Sequence, residues 1–213
     1  MEKIISQTVQ ATDEALVEQI LTGETGSFEQ IIRRYNQRLF RTGMAILNNE
    51  TETEDAMQST YINAYEHLAM FENRAAFATW LTRIMVNECL KLKKKQQNSR
   101  NAIEQLPKNH IAMTTPDHVL VNKELNNLLE NAIGQLPEKY RLVFVLREIE
   151  DMSVRETAQT LTIEEANVKV RLNRAKTMLR ENLQSYLKGN IYQFHLSRCD
   201  RMVANVRAAV NFK

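Results

Sequence analysis

Two closely spaced helix-start signals constrain this chain more than any other feature of its sequence. Ser153 with Glu156, and Thr162 with Glu165, have the spacing of a capping box, in which a hydroxyl and a carboxylate satisfy the first free amides of a helix. The first predicted helix is barely two turns long, and its inward-facing residues are Val154, Thr157, Ala158 and Leu161. Two successive capped helices of this kind predict a helix-turn-helix.

The second predicted helix carries its apolar and polar residues on different faces. Its inward set is Val168, Leu172, Ala175 and Leu179, and its outward set is Lys169, Asn173, Lys176 and Arg180. A recognition helix needs this arrangement, because its apolar face packs on the domain while Arg, Lys and Asn reach bases and phosphates. The pattern alone therefore predicts a DNA-binding helix-turn-helix.

Two more helices are predicted ahead of this motif. The residues of an i, i+3, i+4, i+7 apolar pattern are Leu125, Leu128, Leu129, Ala132, Ile133 and Leu136. The pattern stops at Pro137, because proline cannot continue a helix. A further helix is predicted from about Glu138 to Ile149.

The first half of the chain, from Asp13 to about Lys95, is predicted to be helical almost throughout. Five Gly and three Pro among 213 residues are too few for the turns of an all-β fold. One predicted stripe contains Leu16, Ile20 and Leu21, and a longer one contains Phe28, Ile31, Ile32, Tyr35, Leu39 and Phe40.

Another helix is predicted to start at an acidic cluster, Glu50 to Asp55. Thr51 with Glu54 has capping-box spacing, which would place the carboxylates at the positive end of the helix dipole. Residues assigned to this helix are Ala56, Met57, Thr60, Tyr61, Ala64, Tyr65 and Leu68. A last helix starts near Phe77 and runs on into a group of lysines, and Trp80 is expected to pack in its core.

Periodicity is lost from about Gln96 to Asp117, where Gln, Asn and Ser are frequent. We therefore expect an all-α protein of two small helical domains, residues 1–95 and 118–188, joined by an extended linker at 96–117. Their relative placement is expected to be flexible without partners. Residues 189–213 are predicted to form an amphipathic C-terminal extension.

The extension has three interpretations. A helical face containing His195, Cys199, Met202, Val203, Val206 and Val210 favours a helix that docks on the body of the protein. The same helix could regulate the protein by covering one domain. His195 and Cys199 also have a spacing that metal ligands use, although two ligands do not make a four-ligand site.

Basic residues are concentrated in two runs, although the net charge is only +2. The first run contains Arg83, Lys91, Lys93, Lys94, Lys95 and Arg100, and the second contains Lys169, Arg171, Arg174, Lys176 and Arg180. Either run alone would be an ordinary solvated helix face. Together they favour contact with a polyanion at two places.

Several classes of protein are disfavoured. Cys89 and Cys199 lie far apart and form no CxxC pair, which fits a reducing compartment. The first residues have no signal-peptide core, and no run approaches the ~18 apolar residues of a membrane span, so a cytoplasmic protein without membrane insertion is expected. The sequence has no Gly-rich phosphate loop, metal-ligand cluster or nucleophile with a plausible His partner, which predicts a non-enzyme without catalytic residues, cofactor or metal.

Two parts of the sequence resemble the extracytoplasmic-function (ECF) sigma factors of bacterial RNA polymerase. The first comprises DAMQSTYINAY at 55–65, Phe71, and FATWLTRIMVN at 77–87; the second comprises QLPEKYRLVF at 135–144, SVRETA at 153–158 and VKVRLNRAK at 168–176. They resemble the family's second and fourth conserved regions, in the right order and separation.

The resemblance implies a mechanism. A protein of this family binds core RNA polymerase, directs it to a promoter and helps to melt the duplex. The first domain would contact the clamp helices of the largest polymerase subunit and the minus-ten element, and the second would read the minus-thirty-five element in the major groove. The linker would thread toward the active-site cleft. Many members are held inactive by an anti-sigma factor, which makes such a protein a possible partner.

The resemblance also implies roles for individual residues. Asp55 and Gln58 match positions that face the clamp helices. Phe71 and Asn87 match positions near an extruded non-template base, where an aromatic ring can stack and an amide can hydrogen-bond. The residues matching DNA-backbone contacts near the minus-ten element are Lys91, Lys93 and Lys94. Those matching minus-thirty-five contacts are Lys169, Asn173 and Arg174, with Arg171 a phosphate or intradomain partner.

The sequence departs from the family at several positions. Ser59 replaces a common acidic residue, so a weaker clamp contact or one of different composition is expected. Thr162 stands where the family often has Gly in the turn, and it could instead be an N-cap. Val170 and Asn173 are uncommon choices, so no promoter sequence can be transferred.

Two other functions compete with this interpretation. An ordinary helix-turn-helix regulator would bind duplex DNA tightly without polymerase, but its sensor domain would have no reason to match residues 55–87. A pure protein-interaction module would not need the free basic face of the last helix.

Overall fold

The computed structural model of the chain describes residues 11–72, 74–102, 120–190 and 196–210. These residues form helices and no strand, which confirms the predicted all-α class. The α-helices are α1 (Asp13–Leu21), α2 (Phe28–Leu47), α3 (Glu50–Glu66), α4 (Phe77–Ala102), α5 (Leu120–Gly134), α6 (Glu138–Phe144), α7 (Val154–Leu161), α8 (Glu165–Asn190) and α9 (Leu196–Val210). Short 3-10 turns cover Thr25–Ser27 and Leu68–Met70, and a π-helical turn covers Val145–Ile149.

Helices α2, α3 and α4 pack against one another and, with α1, form what we call the N-terminal bundle. Its fully buried side chains include Ile31, Leu39, Leu81 and Met85. Gly43 allows the close packing of these helices, because a Cβ there would lie 2.5 Å from both Met85 Cε and Thr53 Cγ2.

Helix α1 is fixed to α2 by one carboxylate. Asp13 accepts hydrogen bonds from Arg34 and from the Tyr35 hydroxyl. Burial of the ring, together with this hydrogen bond, raises the pKa of Tyr35 above its ordinary value. Leu16 and Ile20 are buried as predicted. The prediction for the third residue of that stripe was wrong, because Leu21 is exposed and Val17 is buried instead.

Helices α5 to α8 form the C-terminal bundle, whose own small core is Val143, Ala158 and Val168. The Ser153–Glu156 capping box is confirmed: Ser153 Oγ accepts from the Glu156 amide at 3.1 Å, and Glu156 Oε2 accepts from the Ser153 amide at 2.7 Å. These bonds lower the pKa of Glu156.

The other two predicted capping boxes were wrong. Thr162 ends α7 in the left-handed conformation (φ 52°, ψ 49°), which an N-cap does not adopt, and α8 begins only at Glu165. Helix α3 begins before Thr51, because Asn49 is an equally good cap and its Oδ1 accepts from the Glu52 amide at 3.0 Å. The acidic residues still lie in the first turns of α3, as expected.

The predicted linker begins inside a helix. Helix α4 continues through Ala102, beyond the boundary at residue 95. The remainder of the predicted linker, residues 103–117, lies outside the described residues, as does His195. The predicted C-terminal helix is present as α9, and its described apolar side chains Met202, Val203 and Val206 are exposed rather than docked.

The two bundles pack against each other, where the sequence predicted a flexible placement. Helix α6 contacts α2, and α7 contacts α4. Leu142, Val145, Leu146 and Met152 belong to the same continuous core as the N-terminal bundle. None of the helices in the described ranges is long and apolar enough to cross a membrane.

Candidate nucleic-acid interface

The exposed face of α8 is the clearest candidate for reading DNA. Val168 and Ala175 are fully buried, so they fix the rotation of the helix against α6 and α7. That rotation leaves Lys169, Asn173 and Arg174 exposed. The predicted separation of an apolar and a polar face is therefore confirmed. Lys, Arg and Asn side chains on an exposed helix face can reach phosphates and base edges.

The neighbours of this face hold two of its basic residues in place. Arg174 donates from Nη1 to the Tyr140 hydroxyl at 3.2 Å, and this hydrogen bond lowers the pKa of Tyr140. Lys176 pairs with Glu148 at 2.8 Å. Arg171 is half-buried, which sets it apart from the three more exposed candidates on the helix.

Val170 also belongs to this face, although it was not among the residues predicted to contact the minus-thirty-five element. Its side chain is 51% exposed between Lys169 and Asn173. An exposed apolar side chain on a recognition helix can contact a thymine methyl group. The sequence contained a signal for this exposure, because Val170 is not one of the inward residues at positions 168, 172, 175 and 179.

A second polar surface lies on α4. Asn87, Lys91 and Lys94 line one open depression together with Asn63, Ile84, Glu88 and Leu90. Glu88 accepts from Asn63 at 3.2 Å and pairs with Lys91 at 2.7 Å. The structure thus brings together three of the residues predicted to contact DNA near the minus-ten element.

The other two predicted minus-ten residues lie apart from this surface. Phe71 is half-buried in an aromatic cluster, with its ring centroid 5.3 Å from those of both Phe77 and Trp80. Trp80 is also half-buried there, in keeping with its expected place in the core. Lys93 forms an ion pair with Glu138 of α6, across the junction of the two bundles.

The residues predicted to face the polymerase lie on the exposed side of α3. Asp55 and Gln58 are both exposed and are one helical turn apart. Gln58 lies at the edge of an open groove between α2 and α3. The apolar wall of the groove contains Phe28, Ile32, Tyr61, Ile62 and Tyr65. Ile62 and Tyr65 are 52% and 41% exposed, so this face combines polar and apolar contact area.

No group of three or more His, Cys, Asp or Glu side chains is arranged to hold a metal ion within the described ranges. Cys89 is buried in the core, and burial raises the pKa of its thiol to about 12.

Comparison with known families gives two matches. The model of Sigma-70 region 2 matches residues 31–99, which span α2 to α4. The model of Sigma-70, region 4 matches residues 126–179, which include α6, α7 and the exposed face of α8. Both candidate DNA surfaces and the α3 face lie within these matches.

Curated relatives are similar over most of the chain. The ECF RNA polymerase sigma factor SigW of Bacillus subtilis is 29% identical over 177 residues, covering 79% of this chain and 95% of the relative. The ECF RNA polymerase sigma-E factor of Haemophilus influenzae is 27% identical over 184 residues, covering 82% and 97%.

Solved structures share the fold. The sigma factor RpoE from Bartonella quintana, solved with the anti-sigma factor NepR, has a TM-score of 0.65 at 19% identity and covers 74% of this chain and 96% of its own. CnrH, solved with the cytosolic domain of CnrY, has a TM-score of 0.59 at 25% identity and covers 81% and 97%.

Proposed function

This chain belongs to the ECF sigma factors and directs RNA polymerase to promoters. We propose which of its surfaces contacts the polymerase and which contacts each promoter element. The helices that match region 2 would bind core polymerase and the minus-ten element, and those that match region 4 would read the minus-thirty-five element. Sigma factors are generally non-catalytic regulators. We assign this protein the same role, in the cytoplasm and without cofactor.

The exposed face of α8 carries the proposal. Lys169, Asn173 and Arg174 project from a helix whose opposite side is fixed by Val168 and Ala175. We assign these three residues to the minus-thirty-five element, with Val170 as an apolar contact and the half-buried Arg171 as a phosphate contact. Tyr140 supports the assignment, because its hydroxyl orients the Arg174 guanidinium.

The α4 surface is assigned to the minus-ten element. Asn87 can hydrogen-bond an extruded base, while Lys91 and Lys94 lie in the same depression and can hold the DNA backbone. Phe71 can stack on a base only through the part of its ring that the aromatic cluster leaves exposed. Lys93 can contribute once it is released from Glu138.

The α3 face is assigned to the polymerase clamp. Asp55 supplies a carboxylate for basic groups and Gln58 an amide for polar ones. The exposed Ile62 and Tyr65 beside them supply apolar area, which an interface core needs. Ser59 makes this face less acidic than is common in the family, and its hydroxyl donates to the Asp55 carbonyl at 3.0 Å.

We also propose an anti-sigma factor as a partner. The proposal rests on the relatives, since RpoE was solved with the anti-sigma factor NepR and CnrH with the cytosolic domain of CnrY. The test is capture of a cellular protein by the full-length chain, followed by transcription with the purified pair. Inhibition that extra core polymerase overcomes would support this partner, and binding without inhibition would contradict it.

Run-off transcription tests the main proposal. Core RNA polymerase is assayed on a fragmented genomic library with the wild-type protein and with Lys169→Ala or Asn173→Ala. We expect specific starts with the wild type and their loss in both variants. Arg33→Ala is the matched control, because it removes an exposed charge that pairs only with Glu29 on α2 in the described contacts. Tight duplex binding without polymerase, and no specific starts, would favour a stand-alone regulator.

A further inference from the structure

We propose that Tyr140 of α6 is a positioning residue for promoter recognition, which holds the Arg174 guanidinium of α8 in the orientation that reads a base of the minus-thirty-five element. This inference rests on the proposed function, because it takes the exposed face of α8 as the surface that contacts this element. Tyr140 itself is assigned no base. It acts through Arg174, and it therefore affects sequence preference without a base contact of its own.

The contact joins two helices of the C-terminal bundle. Arg174 Nη1 donates to the Tyr140 hydroxyl at 3.2 Å, across 34 positions of sequence. Arg174 is exposed and Tyr140 is half-buried, so the phenol anchors a guanidinium that remains at the protein surface. The same hydrogen bond is the largest cause of the lowered pKa of Tyr140, as expected for a phenol oxygen that lies in the field of a cation.

Tyr140 is itself fixed relative to α8. The three residues that follow it on α6, Arg141, Leu142 and Val143, are buried. Val143 belongs to the same small core as Val168, the buried residue at the start of the reading face. The Tyr140 hydroxyl is therefore presented to α8 from a packed helix. A recognition side chain is held precisely when the group that supports it lies on a rigid element.

The hydrogen bond leaves Arg174 able to bind DNA. Among the contacts of the described residues, Tyr140 engages only Nη1 of the guanidinium, and Nε and Nη2 remain as donors along another edge. Two parallel donors of this kind match the O6 and N7 acceptors of guanine in the major groove. Guanine is therefore the base that we expect Arg174 to read.

A neighbouring cation of α8 is held in a different way. Lys176 Nζ lies 2.8 Å from Glu148 Oε2, so a carboxylate balances its charge. Tyr140 is a neutral acceptor, and it orients Arg174 without balancing the positive charge. Arg174 thus keeps its electrostatic attraction for DNA, whereas that of Lys176 is reduced by its partner.

Orientation matters because an arginine side chain has many rotamers. An unsupported guanidinium loses this freedom when it binds a base, which weakens binding. A guanidinium that is already held loses less, and a base that requires another orientation is disfavoured. Lys139 supports the arrangement from the other side, since its Nζ lies 5.1 Å from the centroid of the Tyr140 ring, within the range of a cation–π contact.

Transcription by core RNA polymerase with the full-length chain tests the positioning role. The templates are promoters that differ by single base pairs in the minus-thirty-five element of a start used by the wild type. Arg174→Ala first identifies the base pair at which preference depends on the guanidinium. Tyr140→Phe, which removes only the hydroxyl, should then lower the preference for guanine at that base pair about 3- to 10-fold, as expected for the loss of one hydrogen bond.

The double variant Tyr140→Phe/Arg174→Ala separates positioning from a general structural effect. If Tyr140 acts through Arg174, the double variant should show no more loss of preference than Arg174→Ala alone. Glu148→Gln is the matched control, because it releases the neighbouring cation Lys176 from its partner in the same bundle. We expect this control to leave the base preference unchanged at every position.

Three results would overturn the positioning role. They are an Arg174→Ala variant with the base preference of the wild type, a Tyr140→Phe variant with that same preference, and a Tyr140→Phe variant that lowers transcription equally from every promoter of the set. The use of α8 to read this element is tested separately by Lys169→Ala and Asn173→Ala. Loss of specific starts in those two variants, with no change of preference in Tyr140→Phe, would refute the positioning role alone.

Discussion

Arg141 donates a hydrogen bond from Nε to the carbonyl oxygen of Ala45 at 2.7 Å, joining residues 96 positions apart in the sequence. Its Nη1 donates to the Gly134 carbonyl, also at 2.7 Å. Ala45 and Gly134 lie in the last turns of α2 and α5, whose final carbonyls have no partner within the helix. One buried cation thus caps the negative ends of two helices, one from each bundle.

Replacing Arg141 by Ala should therefore lower the free energy of unfolding by about 2–3 kcal/mol, because charged hydrogen bonds to two buried carbonyls are lost. Urea denaturation of the full-length chain measures the change. Arg155→Ala, which removes an exposed Arg on α7, should change it by less than about 0.5 kcal/mol. Equal stability of the two variants would contradict the capping role.

Gly43→Ala should destabilise the N-terminal bundle by about 1–3 kcal/mol, because the added methyl group would overlap Met85 and Thr53. Thr53→Ser removes one of the two overlapping atoms and should recover part of this loss in the double variant. Gly26→Ala is the control, since a Cβ there has no atom within 4 Å. Equal melting temperatures for Gly43→Ala and Gly26→Ala would refute the close approach.

Thr162→Gly should stabilise the protein by about 0.5–1 kcal/mol, because glycine adopts the left-handed conformation of the turn without a Cβ clash. Gln159→Gly, at an exposed position within α7, should instead destabilise it by about 0.5–1 kcal/mol. Chemical denaturation distinguishes the two signs. A destabilised Thr162→Gly variant would show that the hydroxyl matters more than the backbone.

The capping box predicts a pH dependence. The pKa of Glu156 is lower in the folded protein than its ordinary value of 4.5, chiefly through its hydrogen bonds with Ser153. Its contribution to stability is therefore present above the unfolded pKa and is lost as the pH falls through the folded pKa. The stability difference between the wild type and Glu156→Gln should shrink on acidification from neutral pH. A difference that is constant with pH would contradict this.

Cys89 should resist alkylation in the folded protein, because burial raises the pKa of its thiol to about 12 and the thiolate is the reactive form. The measurement is the rate of iodoacetamide labelling in a Cys199→Ser background, where Cys89 is the remaining cysteine. Labelling should become fast only in denaturant. Rapid labelling under native conditions would show that the core around α4 opens.

Sequence patterns determined the helices and their outward faces. The Val168 and Ala175 spacing predicted which side of α8 would be buried, and Ser153 with Glu156 marked the start of α7, because these signals act within one or two helical turns. Motif resemblance supplied the family, which the comparisons confirmed, and nominated Asn87, Lys91 and Lys94, which the structure places together. The roles of these residues remain predictions.

Local sequence patterns gave wrong predictions where the same spacing of residues was compatible with two different structures. Thr51 and Thr162 had capping-box partners, yet Asn49 caps α3 and Thr162 takes the left-handed turn that ends α7. Leu21 fitted the apolar stripe of α1 but lies at the end of the helix, where it is exposed. A pattern of residue types along the sequence does not determine which direction the chain takes after a helix ends.

Only the tertiary structure decided what joins the two bundles. Glu150 and Arg141 carried no distinguishing signal in the sequence, but each has a partner about a hundred positions away along the chain. The family resemblance gave Lys93 the same predicted role as Lys91 and Lys94, whereas the helix turns it toward Glu138. Helical periodicity fixes which residues share a face, while the packing of one helix on another fixes what that face meets.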